Sequence, residues 1–208
     1  MAALGAVHSV GDSIATHLGQ AHQLQQQVEA VLPEEQRVLP DCSFEQLSSA
    51  QLANAFSPNG NQVTLYLYRI GIDKHLRTSP DPRHPGEVQT RPLGLELHYL
   101  MTAWCGTVSD EHTLMSWAMR ELHMAATFGA GRLIPGRLWR AEETVQITPS
   151  ELSIEDMMRI WDALAPSYRL SVSYIARVVR VDSLLAPSAG PVVAQRFDVE
   201  EIRERADG

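Results

Sequence analysis

The stretch SIEDMMRIWDALAPSYRLSVSYIARVV, residues 153–179, changes its apolar period halfway along and so decides the fold class. Ser153 is followed three positions later by Asp156, which predicts a helix start: the hydroxyl can accept a free backbone N–H, and the carboxylate suits the positive helix end. Pro166 ends the pattern, because proline lacks an N–H and disfavours helical geometry in the preceding residue. The apolar side chains at helical spacing are Ile154, Met157, Met158, Trp161 and Leu164.

A long strand is predicted directly after this helix, over residues 169–181. One face of it is apolar throughout, and the other is only partly polar, which is typical of a sheet covered on both sides. We expect Val172 on the core side and Ile175 towards a neighbouring subunit or a covering helix. The apolar face holds Leu170, Val172, Tyr174, Ala176 and Val178, and the other holds Ser171, Ser173, Ile175, Arg177 and Val179.

An amphipathic helix is predicted over residues 12–31, with Asp12 or Ser13 capping its start. Two interpretations of its apolar side remain open: it packs on the sheet of its own domain, or it packs on a neighbouring subunit. The apolar positions are Ile14, Leu18, Ala21, Leu24, Val28 and Val31.

The remaining pattern predicts four more strands and one more helix. The helix covers 109–128, and its buried stripe is Leu114, Ala118, Leu122 and Ala125. The strands cover 43–47, 62–72, 93–105 and 144–148. In the strand 62–72, Val63, Leu65 and Leu67 should point one way, and Tyr66, Tyr68 and Ile70 the other.

This order of elements predicts an α+β fold, a mainly antiparallel mixed sheet flanked by helices. We expect one such domain over residues 1–183 and an extended C-terminal tail over 184–208, with a last helical turn at 198–205.

A connection rich in proline and polar residues, 74–92, joins two of the strands and is too long to be a simple turn. Residues 69–91 carry five basic and three acidic side chains, a net of +2 in a chain of net charge −8. Arginine suits paired hydrogen bonds to partner carboxylates, so this loop is a candidate protein interface. The candidate interface residues are Arg69, Lys74, Arg77, Arg83 and Arg91, together with Ile175 and Arg177 of the last strand.

Composition excludes several classes of function. The net charge of −8 argues against a nucleic-acid binder, and no apolar run approaches the roughly 20 residues that span a bilayer. Cys42 and Cys105 lie far apart, with no secretory signal before them, and are expected to be reduced, buried thiols of a protein made in the cytoplasm.

No pattern of catalytic or metal-binding residues stands out. His112 and His123 share a helix face but lie three turns apart, too far for one metal ion. The glycines at 129–131 follow a helix rather than a strand, and no phosphate-binding loop occurs. We therefore expect no enzyme, no cofactor and no metal site.

Four blocks in sequence order carry a resemblance to a known family. They are LYLYRIGIDKHLRTSP (65–80), RPLGLELHYLMTAW (91–104), SWAMRELH (116–123) and LSIEDMMRIWDALAPSYRLSVSYIARVVRVDS (152–183). Together they resemble the cap, or tail-terminator, proteins of phage tail-like contractile injection systems of the antifeeding-prophage type. The similarity spans most of residues 5–183, although such proteins often continue further at the C-terminus.

The resemblance implies a tail-terminator-like fold and a structural role. It implies a homohexamer, a ring that ends the contractile sheath and inner tube at their distal end and ties the two together, with sheath and inner tube proteins as partners. The protein would be made in the cytoplasm and become part of the injection particle. Two alternatives are kept: an adaptor that attaches the particle to a membrane or host structure, and a small-molecule-binding domain with a pocket under the 74–92 loop.

Overall fold

The structure is a computed structural model that describes residues 4–53, 56–73 and 93–181, with the backbone alone for 178–181. Four α-helices and six strands make up this part of the chain. The helices are α1 (Ala6–Glu29), α2 (Ser49–Leu52), α3 (Val108–Met124) and α4 (Ile154–Asp162). The strands are β1 (Ser43–Leu47), β2 (Gln62–Ile72), β3 (Leu93–Trp104), β4 (Thr127–Phe128), β5 (Val145–Ser150) and β6 (Ser171–Val181).

All six strands form one mixed sheet in the order β1-β2-β3-β6-β5-β4. β1 runs parallel to β2, and every other neighbouring pair is antiparallel. The predicted α+β class with a mainly antiparallel mixed sheet is therefore confirmed. The 74–92 connection and the tail 184–208, with its predicted helical turn, lie outside the described residues. No described helix is long and apolar enough to span a membrane.

The main core lies between one face of the sheet and the helices α1 and α3. Alternate residues of β3 supply its centre, and Tyr174 and Ala176 of β6 join them, with Val172 packed at its margin. For β6, this is the face that period-2 alternation predicted for Val172, Tyr174 and Ala176. The core residues of β3 are Leu95, Leu97, Tyr99, Met101 and Ala103.

α1 begins at Ala6, so the prediction that Asp12 or Ser13 caps its start was wrong. The hydroxyl of Ser13 instead donates to the carbonyl of Ser9, 2.6 Å away, and accepts from the backbone N–H of Ile134. Ser9 Oγ in turn accepts from the indole Nε1 of Trp139 at 2.7 Å. These buried serines hold the 129–139 connection against the first half of α1.

The opposite face of the sheet carries a second, smaller core that α4 covers. Trp161 of α4 is 4% exposed and meets Trp104 of β3 edge to face. Ser153 caps α4 as predicted, accepting from the backbone N–H of Asp156 at 3.0 Å. Ile154, the first of the apolar side chains at helical spacing, is 81% exposed and lies outside this core. The second core consists of Leu47, Leu52, Leu100, Trp104 and Trp161, with Met157, Ile160 and Leu164 packed against it.

A β-bulge at Tyr68 changes the alternation of β2. Leu67 pairs with Tyr99 and Arg69 with His98, so Tyr68 is an extra residue on this strand. Ile70 then pairs with Leu97 and lies on the main-core face. The prediction that Ile70 shares a face with Tyr66 was therefore wrong, because one inserted residue moves all later side chains to the other face.

α3 ends at Met124, earlier than the predicted 128. Thr127 and Phe128 form β4 instead and pair with β5. Phe128 is fully buried in the main core. Pairing with a strand far along the chain thus overrides the helical pattern at this point.

Candidate assembly surfaces

Past the bulge at Tyr68 and a second register shift, between β3 and β6 at Leu95–Leu97, the sheet extends as a three-stranded arm made of residues 69–72, 93–97 and 178–181. β1 pairs only with residues 62–66 of β2, and β5 only with residues 173–177 of β6. The arm therefore has no flanking strand on either side among the described residues.

The three candidate interface residues that the structure describes lie at or beside the base of the arm. Arg69 pairs with His98 of β3, which pairs in turn with Ile175 of β6. The Nε of Arg177 donates to a carboxylate oxygen of Glu96 at 3.1 Å. Arg69 and Arg177 are exposed, whereas Ile175 is only 9% exposed, so a partner could contact no more than its edge. Lys74, Arg77, Arg83 and Arg91 lie outside the described residues, and their role stays a prediction.

His98 is half-buried between these arginines. Burial lowers the pKa of its imidazole, and the positive charges of Arg69 and Arg177 lower it further, against the opposing effect of Glu96. Its ring also meets the ring of Tyr68 edge to face. This polar face of the sheet therefore carries two arginines and a histidine whose protonated form is disfavoured.

An open groove of about 810 Å³ lies next to this polar face, between the sheet, α2 and α4. Tyr68, Arg69 and His98 line it on the sheet side, and Asp156 and Arg159 on the α4 side. Its lining is mixed, since apolar side chains and charged side chains of both signs contribute to it.

The apolar side of α1 divides into a buried and an exposed half. Ile14 and Leu18 are in the main core, whereas Leu24 and Val28 are each 62% exposed and Val31, just past the helix end, is 84% exposed. We call Leu24, Val28 and Val31 the helix patch. The first interpretation of this helix, packing on its own sheet, is therefore correct only for its first half.

Glu29, next to the helix patch, holds the segment around Val38 and Leu39 by hydrogen bonds. Its carboxylate accepts from Gln25 Nε2 and from the backbone N–H groups of Val38 and Leu39, each at 3.0 Å. These hydrogen bonds, that of Gln25 first, lower the pKa of Glu29. Val38, held in this way, is 69% exposed.

A second exposed apolar group lies on the main-core face of the arm. Ile70 is 53%, Ile72 48% and Leu93 51% exposed, although their neighbours Leu95 and Leu97 are buried. We call Ile70, Ile72 and Leu93 the arm patch. Only the bulge at Tyr68 puts Ile70 in this group, so alternation in the sequence could not have found the patch.

The structure also shows where the cysteines and the two histidines considered as metal ligands lie. Cys42 and Cys105 are free thiols and half-buried; burial raises the pKa of Cys42 to about 12 and that of Cys105 to about 11. His112 and His123 lie on the exposed side of α3. Within the described part of the chain, no group of three His, Cys, Asp or Glu side chains could hold a metal ion.

One element near the groove, α2, was missed at the sequence level. Ser48 and Gln51 form a capping box, in which Ser48 Oγ accepts from the backbone N–H of Gln51 and Gln51 Oε1 accepts from that of Ser48. The signal was present as Ser followed three positions later by Gln.

The sequence matches a known protein family. A family model described as the Pvc16 N-terminal domain matches residues 21–195. No protein with a curated description matches the sequence.

Two solved structures are similar to this one. The first is the sheath/tube terminator of PVC, an extracellular contractile injection system, in its extended state, with 20% identity, 88% of this chain and 64% of that chain covered, and a TM-score of 0.48. The second is the tube-terminating cap of the anti-feeding prophage, with 16% identity, 72% of this chain and 56% of that chain covered, and a TM-score of 0.44. The chain thus spans less than two thirds of the length of either. On the strength of the family model, which covers most of its residues, the chain belongs to the Pvc16 N-terminal domain family.

Proposed function

We propose that this protein is the structural cap that ends the sheath and inner tube of a contractile injection particle at their distal end and joins the two. The observation that carries the proposal is the match to the Pvc16 N-terminal domain family over residues 21–195. The four sequence blocks that resemble tail terminators point the same way. The proposed role is structural and not enzymatic, and the partners are the sheath protein, the inner tube protein and other copies of this chain.

The shape of the sheet suits a protein that stops a polymer. A terminator must bind the last subunits and offer the next subunit nothing equivalent. The outer strands of this sheet are short, five residues in β1 and two in β4. Short edge strands limit the addition of further strands to a sheet.

We propose a hexameric ring as the working form, made in the cytoplasm and then built into the particle. The exposed apolar side chains of the helix patch and the arm patch support association, because large apolar groups left in water mark contact surfaces. Native mass spectrometry of the purified chain at micromolar concentration tests the ring. A mass of six chains is expected, and a folded chain that stays strictly monomeric would contradict this form.

Small-molecule binding is a second candidate, favoured by the groove between the sheet, α2 and α4. Its volume of about 810 Å³ falls among ligand pockets, which typically measure about 300–1,000 Å³. In the same mass spectra, a monomer that retains a bound small molecule would favour this candidate over the cap.

A further inference from the structure

The helix patch and the arm patch lie at opposite ends of the molecule. α1 runs antiparallel to β1, since Gly11 lies against Gln46 near the end of that strand and Gln26 bonds to Asp41 just before its start. The start of β1 pairs with Gln62, the first residue of β2, whereas the arm patch includes Ile72, the last residue of β2. Eleven strand residues separate these ends, which corresponds to roughly 33 Å.

Both patches present apolar side chains in a chain whose net charge is −8. At the Val31 end of the helix patch, Arg37 donates to the carbonyls of Ala30 and Leu32. Residues 13–28 of α1 contain no Asp, Glu, Lys or Arg, and the exposed neighbours of Leu24 and Val28 are Gln23 and Gln27. Three charged side chains at or near the base of the arm, those of Arg69, Glu96 and Arg177, lie on the other face of the sheet. A partner of opposite charge would be recognised through charged side chains, whereas two equally charged copies associate best where neither carries charge.

We infer that copies of this chain join head to tail, with the helix patch of one copy packed against the arm patch of the next. Two different patches at opposite ends make a heterologous contact, which forms a closed ring when the rotations between successive copies add up to a full turn without a shift along the axis. The inference deepens the proposed ring and rests on it. It also explains why the apolar stripe of α1 continues past the main core: Ile14 and Leu18 pack inside the chain, and Leu24 and Val28 pack on a neighbour.

Complementary surface variants test the contact. In one chain Leu24→Glu and Val28→Glu disable the helix patch, and in another Ile70→Glu and Ile72→Glu disable the arm patch. All four side chains are about half exposed or more, so circular dichroism should show folded proteins. Each variant alone should have the mass of one chain. A mixture of the two should have twice that mass, because one intact helix patch meets one intact arm patch and no third copy can add.

A matched control replaces exposed apolar residues elsewhere, Val108→Glu with Met124→Glu on α3, which are 70% and 71% exposed. This control should keep the wild-type mass. If wild type forms a ring and either patch variant forms it too, or if the mixture stays monomeric, the head-to-tail contact is wrong while the proposed cap stands. A monomeric wild type would overturn the ring itself.

Cross-linking keeps the inference testable if a patch variant does not fold. In the double variant Val28→Cys with Ile72→Cys, a short bis-maleimide should link neighbouring copies into a ladder. The native thiols Cys42 and Cys105 react slowly, because burial raises their pKa values to about 12 and about 11. Wild type is the control and should give no ladder, and the absence of a ladder from an assembled double variant would overturn the contact.

Discussion

At the scale of single residues, the hydroxyl of Ser9 joins α1 to the connection that follows α3. It accepts from Trp139 Nε1 at 2.7 Å and donates to the carbonyl of Ile134. Ser9→Ala would leave a buried indole N–H without a partner, which costs about 1–3 kcal/mol. We therefore expect urea unfolding to show a loss of stability of this size.

The control for this prediction is Ser116→Ala on the exposed side of α3, where the hydroxyl only bonds to carbonyls of its own helix. It should change stability by less than about 0.5 kcal/mol. If the two substitutions changed the free energy of unfolding equally, the hydrogen bonds of Ser9 to Trp139 and Ile134 would contribute no stability of their own.

His98 gives the protein a dependence on pH at the same scale. Its pKa in the folded state is lowered from 6.5 by burial and by Arg69, so below that value the unfolded chain binds more protons than the folded one. Stability should fall as the pH drops from about 7 to about 5. His98→Gln should make this slope shallower in urea titrations at several pH values. His112→Gln, on the exposed side of α3, is the matched control, and an identical slope for wild type and His98→Gln would contradict the assignment.

At the scale of elements, α4 is held to the sheet by Trp161. The indole is 4% exposed and packs edge to face against Trp104 and Tyr168. Trp161→Ala should cost about 3–5 kcal/mol and detach α4, visible as a loss of near-ultraviolet circular dichroism. Trp161→Phe keeps an aromatic ring and removes an indole N–H that has no hydrogen-bond partner among the described residues, so it should cost much less. A Phe variant as unstable as the Ala variant would mean that ring packing does not hold α4.

Local patterns predicted the elements well where one signal decides them. The strands 43–47 and 62–72 were predicted with the bounds that are observed, because alternation and flanking turns mark their ends. The bulge at Tyr68, the strand at Thr127 and the end of α3 were not predictable, because pairing with distant strands decides them. The helix patch and the arm patch were not predictable either, because their exposure depends on where the main core ends along α1 and along the sheet.

At the scale of the whole molecule, we propose that the connection 74–92, the candidate protein interface of the sequence analysis, docks on the sheath or the tube. Arg77→Glu with Arg83→Glu reverses charge there, and we expect weaker docking without unfolding, because arginine pairs with partner carboxylates are lost. Particle assembly and sheath length, seen by negative-stain microscopy, measure the effect. Arg137→Glu with Arg140→Glu, at exposed positions outside the loop, is the control. Unchanged assembly of the loop variant would place the docking surface elsewhere.

The central claim concerns the end of the particle, and the sheath length distribution in particles made without this chain tests it most directly. A gene deletion, with the intact gene restored as control, provides both samples for electron microscopy. A cap predicts sheaths and tubes of irregular length, or unstable ones, with open distal ends, and uniform particles once the chain is restored. Closed particles of uniform, wild-type length in the deletion strain would contradict the account.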